Sequence, residues 1–298
     1  MNILITGAWP QAQEHIDDIK ALKHQVCFLQ QENDPLPCDP HWVQGVICNG
    51  LFLHHPIEQF TNLRYIQLTS AGYDRVPMDY VRQHNIEIHN ARGVYSIPMA
   101  EFAIAGVLSL YKRLNDFKSA QRERRWGKLR GIKELAGQTV LIVGCGSVGS
   151  ECAKRFRAFG CPIVGVDMIP HTDEAYDEIL PLLALDSALA KADVVILTVP
   201  LTDETRHLIN AERLALLKPG AVLVNIARGA LIDTPVLIDV LPNLTGAVLD
   251  VFENEPLPKM NSLWDCENVI LTPHNSFVGN GNENRLWKAI INNLEDEL

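Results

Sequence analysis

Four things are scarce in this 298-residue chain, and each scarcity closes off a class of protein. No apolar stretch approaches the ~18 consecutive residues that a bilayer-spanning helix needs. No cluster of lysine or arginine precedes the first apolar segment. Met1-Asn2-Ile3-Leu4-Ile5-Thr6-Gly7 therefore reads as an opening strand and not as a secretory leader. Positive charge is in deficit, with 26 Lys and Arg against 36 Asp and Glu for a formal charge of −10. Such a balance disfavours nucleic acid and anionic membrane as partners. Cysteine is sparse and unpatterned, seven residues at positions 27, 38, 48, 145, 152, 161 and 266 with no C-x-x-C spacing. An odd, irregular set suits small buried side chains in a reducing compartment, so a cytoplasmic protein is expected. No sequence repeat or low-complexity tract interrupts the chain.

What is present is the patterning of a globular α/β protein. Hydrophobic residues make up 47% of the chain and charged ones 21%, over a length sufficient for two domains with separate cores. Short apolar runs at 2–6, 25–30, 45–49, 63–69 and 86–90 alternate with helical or loop segments at 11–22, 56–61 and 78–84. Alternation of this kind predicts a parallel sheet covered on both faces. A long apolar helix is expected over 98–113, with Met99, Phe102, Ala103, Gly106, Val107 and Leu110 on one side. The basic stretch Lys118–Lys133, which includes Trp126, reads as an arm or crossing loop. Strand signals resume at 140–143, 162–166, 193–198, 221–227, 246–252 and 268–272. Asn210 is placed to cap a helix over 211–217, which Lys218-Pro219-Gly220 would stop, and 283–294 reads as a final helix.

The most specific segment is Val140-Leu141-Ile142-Val143 followed by Gly144-Cys145-Gly146-Ser147-Val148-Gly149, with Asp167 ending the next apolar run. Strand, G-x-G-x-x-G turn, helix and strand-end acid form a dinucleotide-binding fingerprint. Gly144 permits the tight turn, Gly146 lets the backbone approach a pyrophosphate, and Gly149 lets helix and strand pack closely. Asp167 would accept hydrogen bonds from ribose hydroxyls and repel a 2′-phosphate. Its neighbours Met168, Ile169 and Pro170 provide no cation to hold one, so NAD is favoured over NADP.

Ligands of open α/β sheets sit beyond the carboxyl ends of the strands. Three ionisable residues follow strand ends in the second half: Arg228, Glu255 and His274. Together they suit reduction of a 2-keto acid or its reverse. An imidazole, with a free pKa of about 6.5, can give or take the proton at the carbinol oxygen. A carboxylate beside it would steady the imidazolium, and a guanidinium would grip the substrate carboxylate and polarise its carbonyl.

The sequence resembles the D-isomer-specific 2-hydroxyacid dehydrogenases. The resemblance is densest from about residue 134 to 274, through the fingerprint, Val199-Pro200-Leu201-Thr202-Asp203-Glu204-Thr205, Leu217-Lys218-Pro219-Gly220, Asn225-Ile226-Ala227-Arg228-Gly229-Ala230-Leu231-Ile232-Asp233, Asp250-Val251-Phe252-Glu253-Asn254-Glu255-Pro256 and Thr272-Pro273-His274. Earlier in the chain, Ser70-Ala71-Gly72-Tyr73-Asp74 and Met99-Ala100-Glu101-Phe102 also fit. The resemblance implies two Rossmann-like domains separated by a cleft. A flavodoxin-like split substrate domain would take residues 1–96 and 275–298, and an NAD-binding doubly wound parallel sheet residues 97–274. It implies the catalytic trio Arg228, Glu255 and His274, with Asp250 bonded to the nicotinamide carboxamide and Pro200 and Ala227 near that ring. Gly144, Gly146, Ser147, Val148, Gly149 and Asp167 would hold the rest of the cofactor, and Ser70, Ala71 and Gly72 the substrate carboxylate. No metal is expected. A homodimer is implied, with Lys118–Lys133 as its contacting arm. Two departures stand out: Asn275-Ser276-Phe277-Val278 replaces the glycines that commonly follow the family's histidine, and Asn49-Gly50-Leu51-Phe52 contains no cation for a phosphorylated substrate. A small unphosphorylated 2-keto acid is thus expected. The alternatives are D-3-phosphoglycerate dehydrogenase activity or an NAD(H)-sensing corepressor on the same scaffold.

Overall fold

A computed structural model describes residues 1–295, which divide into two compact units. One comprises Met1–Tyr95 and the C-terminal segment from Gly279; the other is Ser96–Val278. In the first, β1 (Asn2–Thr6), β2 (Gln25–Leu29), β3 (Gly45–Cys48), β4 (Tyr65–Leu68) and β5 (Glu87–His89) form a parallel sheet in the order β2-β1-β3-β4-β5. Alternate strand residues serve opposite faces. Leu4, Val46, Cys48, Ile66 and Leu68 enter one core, and Ile3, Ile5, Ile47 and Tyr65 the other. Helices α1 (Ile16–Ala21) and α2 (Met78–Gln83) are short. The C-terminal helix Asn282–Glu295 closes one face with Leu286, Ile290 and Leu294, an i, i+4, i+8 stripe that a 3.6-residue period turns inward. The segment at 56–61 holds only a three-residue 3₁₀ turn, Ile57–Gln59, after Pro56.

The second unit is built on a seven-stranded parallel sheet. Its strands are β6 (Val140–Val143), β7 (Ile163–Asp167), β8 (Glu178–Pro181), β9 (Val194–Leu197), β10 (Val222–Asn225), β11 (Gly246–Leu249) and β12 (Val269–Leu271), in the order β12-β11-β10-β9-β6-β7-β8. Both faces are buried. Val140 and Ile142 pack under α3 (Ser96–Tyr111) and α5 (Ser147–Ala158), while Leu141 and Val143 pack toward α6 (Leu185–Leu189), α7 (Ala211–Ala215) and α8 (Thr234–Val240). That two-sided burial explains why these strands read as unbroken apolar runs. Helix α3 approaches the sheet closely at Gly106, where an added Cβ would lie 2.7 Å from Val248.

Two elements differ from the sequence expectation. The arm at 118–133 begins as helix: α4 (Leu114–Arg122) follows a break at Arg113, whose φ is +52°, and only the remainder is irregular. Strand β8 has no counterpart among the sequence signals. It is an edge strand with no fully buried residue, so its sequence carries no burial pattern. Asn210 does cap its helix, its side chain accepting from the Arg213 amide at 3.0 Å. Among the described residues, no helix is long and apolar enough to cross a membrane, and no cluster of His, Cys, Asp and Glu could hold a metal.

Candidate active site

In the second unit the strand order reverses between β6 and β9, and the glycine turn lies there at the carboxyl ends of the strands. Gly144 has φ +99°, and a Cβ on it would meet the Val199 amide nitrogen at 2.8 Å. A Cβ on Gly149 would stand 2.2 Å from the Gly144 carbonyl oxygen, so helix α5 sits where only glycine fits. Gly146 is different. No protein atom lies within 4 Å of a Cβ built there, and φ is −78°, open to any residue. The protein's own packing does not require glycine at 146, whereas a pyrophosphate laid on the helix N-terminus does. The residues present therefore fit a dinucleotide.

Asp167, at the end of β7, accepts from the Cys145 amide at 2.7 Å and from the Ile169 amide at 3.1 Å. These bonds tie the carboxylate to the glycine turn and fix its orientation. From the other side, the Thr198 hydroxyl donates to the Gly144 carbonyl at 2.6 Å. Pro200 is held where its carbonyl accepts from the Thr205 hydroxyl at 2.8 Å.

Adjacent strands β10, β11 and β12 present the three ionisable residues at one rim, in register Asn225↔Leu249 and Leu249↔Leu271. Four interstrand steps separate β6 from β12, roughly 19 Å at ~4.8 Å each, the scale of an extended dinucleotide. Arg228 is half-buried, three residues past β10. Asn225 shapes this turn, its side-chain oxygen accepting from the Ala227 amide at 3.1 Å and its side-chain nitrogen donating to the Arg228 carbonyl at 2.9 Å. Arg228 Nη1 donates to the Ala227 carbonyl at 2.8 Å. Next to it, Gly229 lies flat on the following strand's loop: a Cβ there would overlap the Phe252 carbonyl carbon at 1.9 Å.

Glu255 and His274 are in direct contact, Oε2 to Nδ1 at 2.8 Å. Glu255 Oε1 accepts from the Phe252 amide at 3.0 Å, so the carboxylate is anchored by its own loop. With side-chain exposures of 36% and 41%, the pair is supported yet reachable. The His274 backbone adopts φ +51°, a left-handed conformation uncommon outside glycine but tolerated by histidine. What holds it there is Asp250. The Asp250 carbonyl accepts from the His274 amide at 2.8 Å. Its fully buried carboxylate accepts from the Thr272 hydroxyl at 2.6 Å, the Asn275 amide at 2.8 Å and the Ser276 amide at 2.9 Å. Asp250 is thus first an anchor for the histidine's loop, a role that sequence spacing did not reveal. Thr198, Asn225 and Thr272 were likewise missed. Their only sequence signal is a polar side chain within one residue of a strand end. Phe277 stands edge-on to the imidazole, with ring centres 6.0 Å apart, in the segment where glycines are common.

In the first unit, Ser70–Gly72 follows β4 as a turn with Ala71 exposed and its neighbours half-buried. Its carbonyls are tied inward: Ser70 O accepts from the Ala91 amide at 2.9 Å, Ala71 O from the Asn90 side chain at 2.7 Å and Gly72 O from the Ser70 hydroxyl at 3.2 Å. Among the described residues, no acceptor takes the Ala71 and Gly72 amides.

A family model described as the NAD binding domain of D-isomer specific 2-hydroxyacid dehydrogenases matches residues 104–276, more than half of the chain. A glyoxylate reductase of Thermofilum pendens is 37% identical over 72% of this chain, and the matched region spans 65% of that relative's length. The solved structure of a glyoxylate reductase from Paecilomyes thermophila superposes with a TM-score of 0.84 at 26% identity, covering 99% of this chain and 94% of that one. That of a D-lactate dehydrogenase from Aquifex aeolicus, complexed with NAD and lactic acid, gives 0.79 at 25% identity, covering 99% and 95%. With its glycine turn, strand-end acid and matched segment together in one sheet, the chain belongs to the D-isomer specific 2-hydroxyacid dehydrogenase family.

Proposed function

We propose that this chain is an NAD-dependent oxidoreductase that interconverts a small, unphosphorylated 2-keto acid and the D-2-hydroxy acid. The observation that carries the reading is the 2.8 Å contact of His274 Nδ1 with Glu255 Oε2, at the same sheet rim as the glycine turn. With Nδ1 engaged by a carboxylate, Nε2 is the ring nitrogen left to exchange a proton with substrate. It gives that proton to the nascent alkoxide in reduction and takes it from the hydroxyl in oxidation. Glu255 steadies the imidazolium and fixes the ring plane. Arg228 offers a planar fork of donors to the substrate carboxylate and carbonyl oxygen.

NAD(H), when bound, supplies or takes up the hydride at carbon 2. The turn Gly144–Gly149, including Ser147 and Val148, would hold its pyrophosphate, Asp167 its adenosine ribose, and Pro200 and Ala227 its nicotinamide. The resemblance gives Asp250 to the nicotinamide carboxamide, but its fully buried carboxylate already accepts three hydrogen bonds, so support of the histidine loop is the role its surroundings favour. The Ala71 and Gly72 amides would receive the substrate carboxylate, together with Ser70.

The chain is proposed to act as a homodimer in the cytoplasm. Helix α4 buries none of its residues and exposes Leu114 and Phe117, and the fully exposed Trp126 follows it, an apolar set that a second copy would cover. Seven cysteines without a disulfide suit a reducing compartment. The test is NADH oxidation against a panel of 2-keto acids, with glyoxylate, hydroxypyruvate and longer apolar homologues. Inertness of a folded, NADH-binding sample toward the whole panel would sink the proposal in favour of an NAD(H)-sensing regulator.

A further inference from the structure

Two loops of the first unit start side by side at the carboxyl ends of β3 and β4. The strands are paired Cys48↔Leu68, and the Thr69 amide continues the ladder to the Cys48 carbonyl at 2.9 Å. Their amides are treated oppositely. After β4, the Ala71 and Gly72 amides have no acceptor among the described residues. After β3, the Asn49 amide donates to Glu32 Oε1 at 2.7 Å and the Gly50 amide to Glu32 Oε2 at 2.6 Å. The Thr6 hydroxyl, at the end of β1, adds a third bond to Oε1 at 2.9 Å. Consecutive backbone amides aimed at one point form a nest for an anion. Here a carboxylate of the chain itself fills it, three residues past the end of β2.

We propose that Glu32 is a specificity-determining residue, an internal anion that occupies the β3 nest and turns away substrates with a second negative group. A substrate whose carboxylate rests on the β4 turn has the rest of its length next to Asn49–Gly50, one interstrand step away. A hydrogen or hydroxymethyl substituent meets no penalty there. A phosphate or second carboxylate meets a like charge, and the amides that would have received it are already taken. The absence of Lys and Arg from Asn49-Gly50-Leu51-Phe52 removes the other means of holding such a group. The inference rests on the reading of the chain as a 2-keto-acid reductase, and it narrows the substrate class to monoanions.

Its test compares wild type, Glu32→Gln and Glu32→Ala. With NADH, kcat/KM is measured on hydroxypyruvate and on 3-phosphohydroxypyruvate. Thermal midpoints are measured in inorganic phosphate and in chloride at equal ionic strength. Removing the charge is expected to shift the substrate ratio toward the phosphorylated acid by roughly tenfold, chiefly through its KM, a split that general loosening of the loop would not produce. Phosphate is expected to raise the midpoint of Glu32→Ala, whose amides are vacated, by more than it raises wild type, whose glycine turn can also take the anion. If Glu32→Ala does not fold, the isosteric Glu32→Gln decides through the substrate ratio. An unchanged ratio in the variants, or equal stabilisation of wild type by phosphate, would overturn the proposal. Failure of wild type on every keto acid refutes the reductase reading instead, and the phosphate measurement still judges Glu32.

Discussion

Replacing Gly146 by alanine separates a glycine kept for a ligand from glycines kept for packing. Its Cβ would meet no protein atom within 4 Å, and its φ of −78° is accessible to alanine. Two small effects on folding oppose each other. Gly146 is the N-cap of α5, where alanine is poorer than glycine by several tenths of a kcal/mol to about 1 kcal/mol. Alanine also restricts the unfolded chain, a gain of about 0.4–1 kcal/mol. The net is near zero, so the thermal midpoint of the ligand-free protein should stay within about 2 °C of wild type. Cofactor binding has no such compensation. A methyl group between the helix amides and a pyrophosphate would break at least one charge-assisted hydrogen bond, about 1.5–3 kcal/mol, or roughly 10- to 150-fold in Kd. Fluorescence titration with NADH measures this directly. Gly149→Ala is the contrast, since its methyl would collide with the Gly144 carbonyl at 2.2 Å and lower the midpoint even without cofactor. Wild-type NADH affinity in Gly146→Ala would show that the turn does not carry the pyrophosphate.

The remaining predictions concern the site, acid stability and the thiols. His274→Ala should lower kcat by about 10²- to 10⁴-fold while NADH affinity holds, and Arg228→Lys should be damaging too, because an ammonium cannot reproduce a planar fork. Near-normal efficiency in either variant would remove that residue from the mechanism. At the surface, the Ile163 amide at 2.7 Å, aided by Arg157 at 2.9 Å, holds the Asp177 carboxyl below the usual carboxylate range. A lowered folded-state pKa means stabilisation that is present above about pH 4 and lost as pH falls through the folded value. Asp177→Asn should thus be weaker than wild type at pH 7 by no more than about 1 kcal/mol, given the half-exposed site, with the gap narrowing as pH falls below about 4 in urea titrations. A gap that does not narrow at all as pH falls below about 4 would exclude the charge as its cause. Burial pushes the Cys38, Cys145 and Cys152 thiols up to about 12, Cys161 to about 11, and Cys48 upward as well. At pH 8 only about one in 10³–10⁴ of these is thiolate, so a thiol reagent should colour the native protein through Cys27 and Cys266 alone. Rapid reaction of Cys145 or Cys152 would contradict their burial.

Most of what the sequence disclosed was carried by local chemistry. The glycine turn was legible because three glycines at fixed offsets have no other common use between a strand and a helix. The core strands were legible because burial on both faces makes a continuous apolar run, as in Val194–Leu197 and Val222–Asn225. Some of their ends came out one to three residues long, as at 221–227 against Val222–Asn225 and 246–252 against Gly246–Leu249, where apolar residues continue past the last ladder bond. Strand β8 was invisible because an edge position asks little of its side chains. The pairing of Glu255 with His274 followed from strand ends and chemistry, but the supports around it did not. Asp250 reaches residues 22 to 26 positions away, and Glu32 reaches back to Thr6 and forward to Gly50. Such bonds depend on which strands become neighbours, and no window along the chain contains that information.

Because all seven strands of the larger sheet point the same way, its two borders have unequal duties. At the amino border the chain is fastened by groups with no part in chemistry: Asp193 accepts from the Thr139 amide and from Lys218, each at 2.9 Å, and the Gly220 carbonyl accepts from Lys133 at 2.7 Å. Alterations there are expected to lower stability and leave turnover unchanged. At the opposite border lie the glycine turn after β6, Asp167 at the end of β7, and the loops after β10, β11 and β12 that bear Arg228, Glu255 and His274, the residues of the proposed site. A designer wishing to fuse a tag or retune the enzyme has, in effect, a separate side of the molecule for each task.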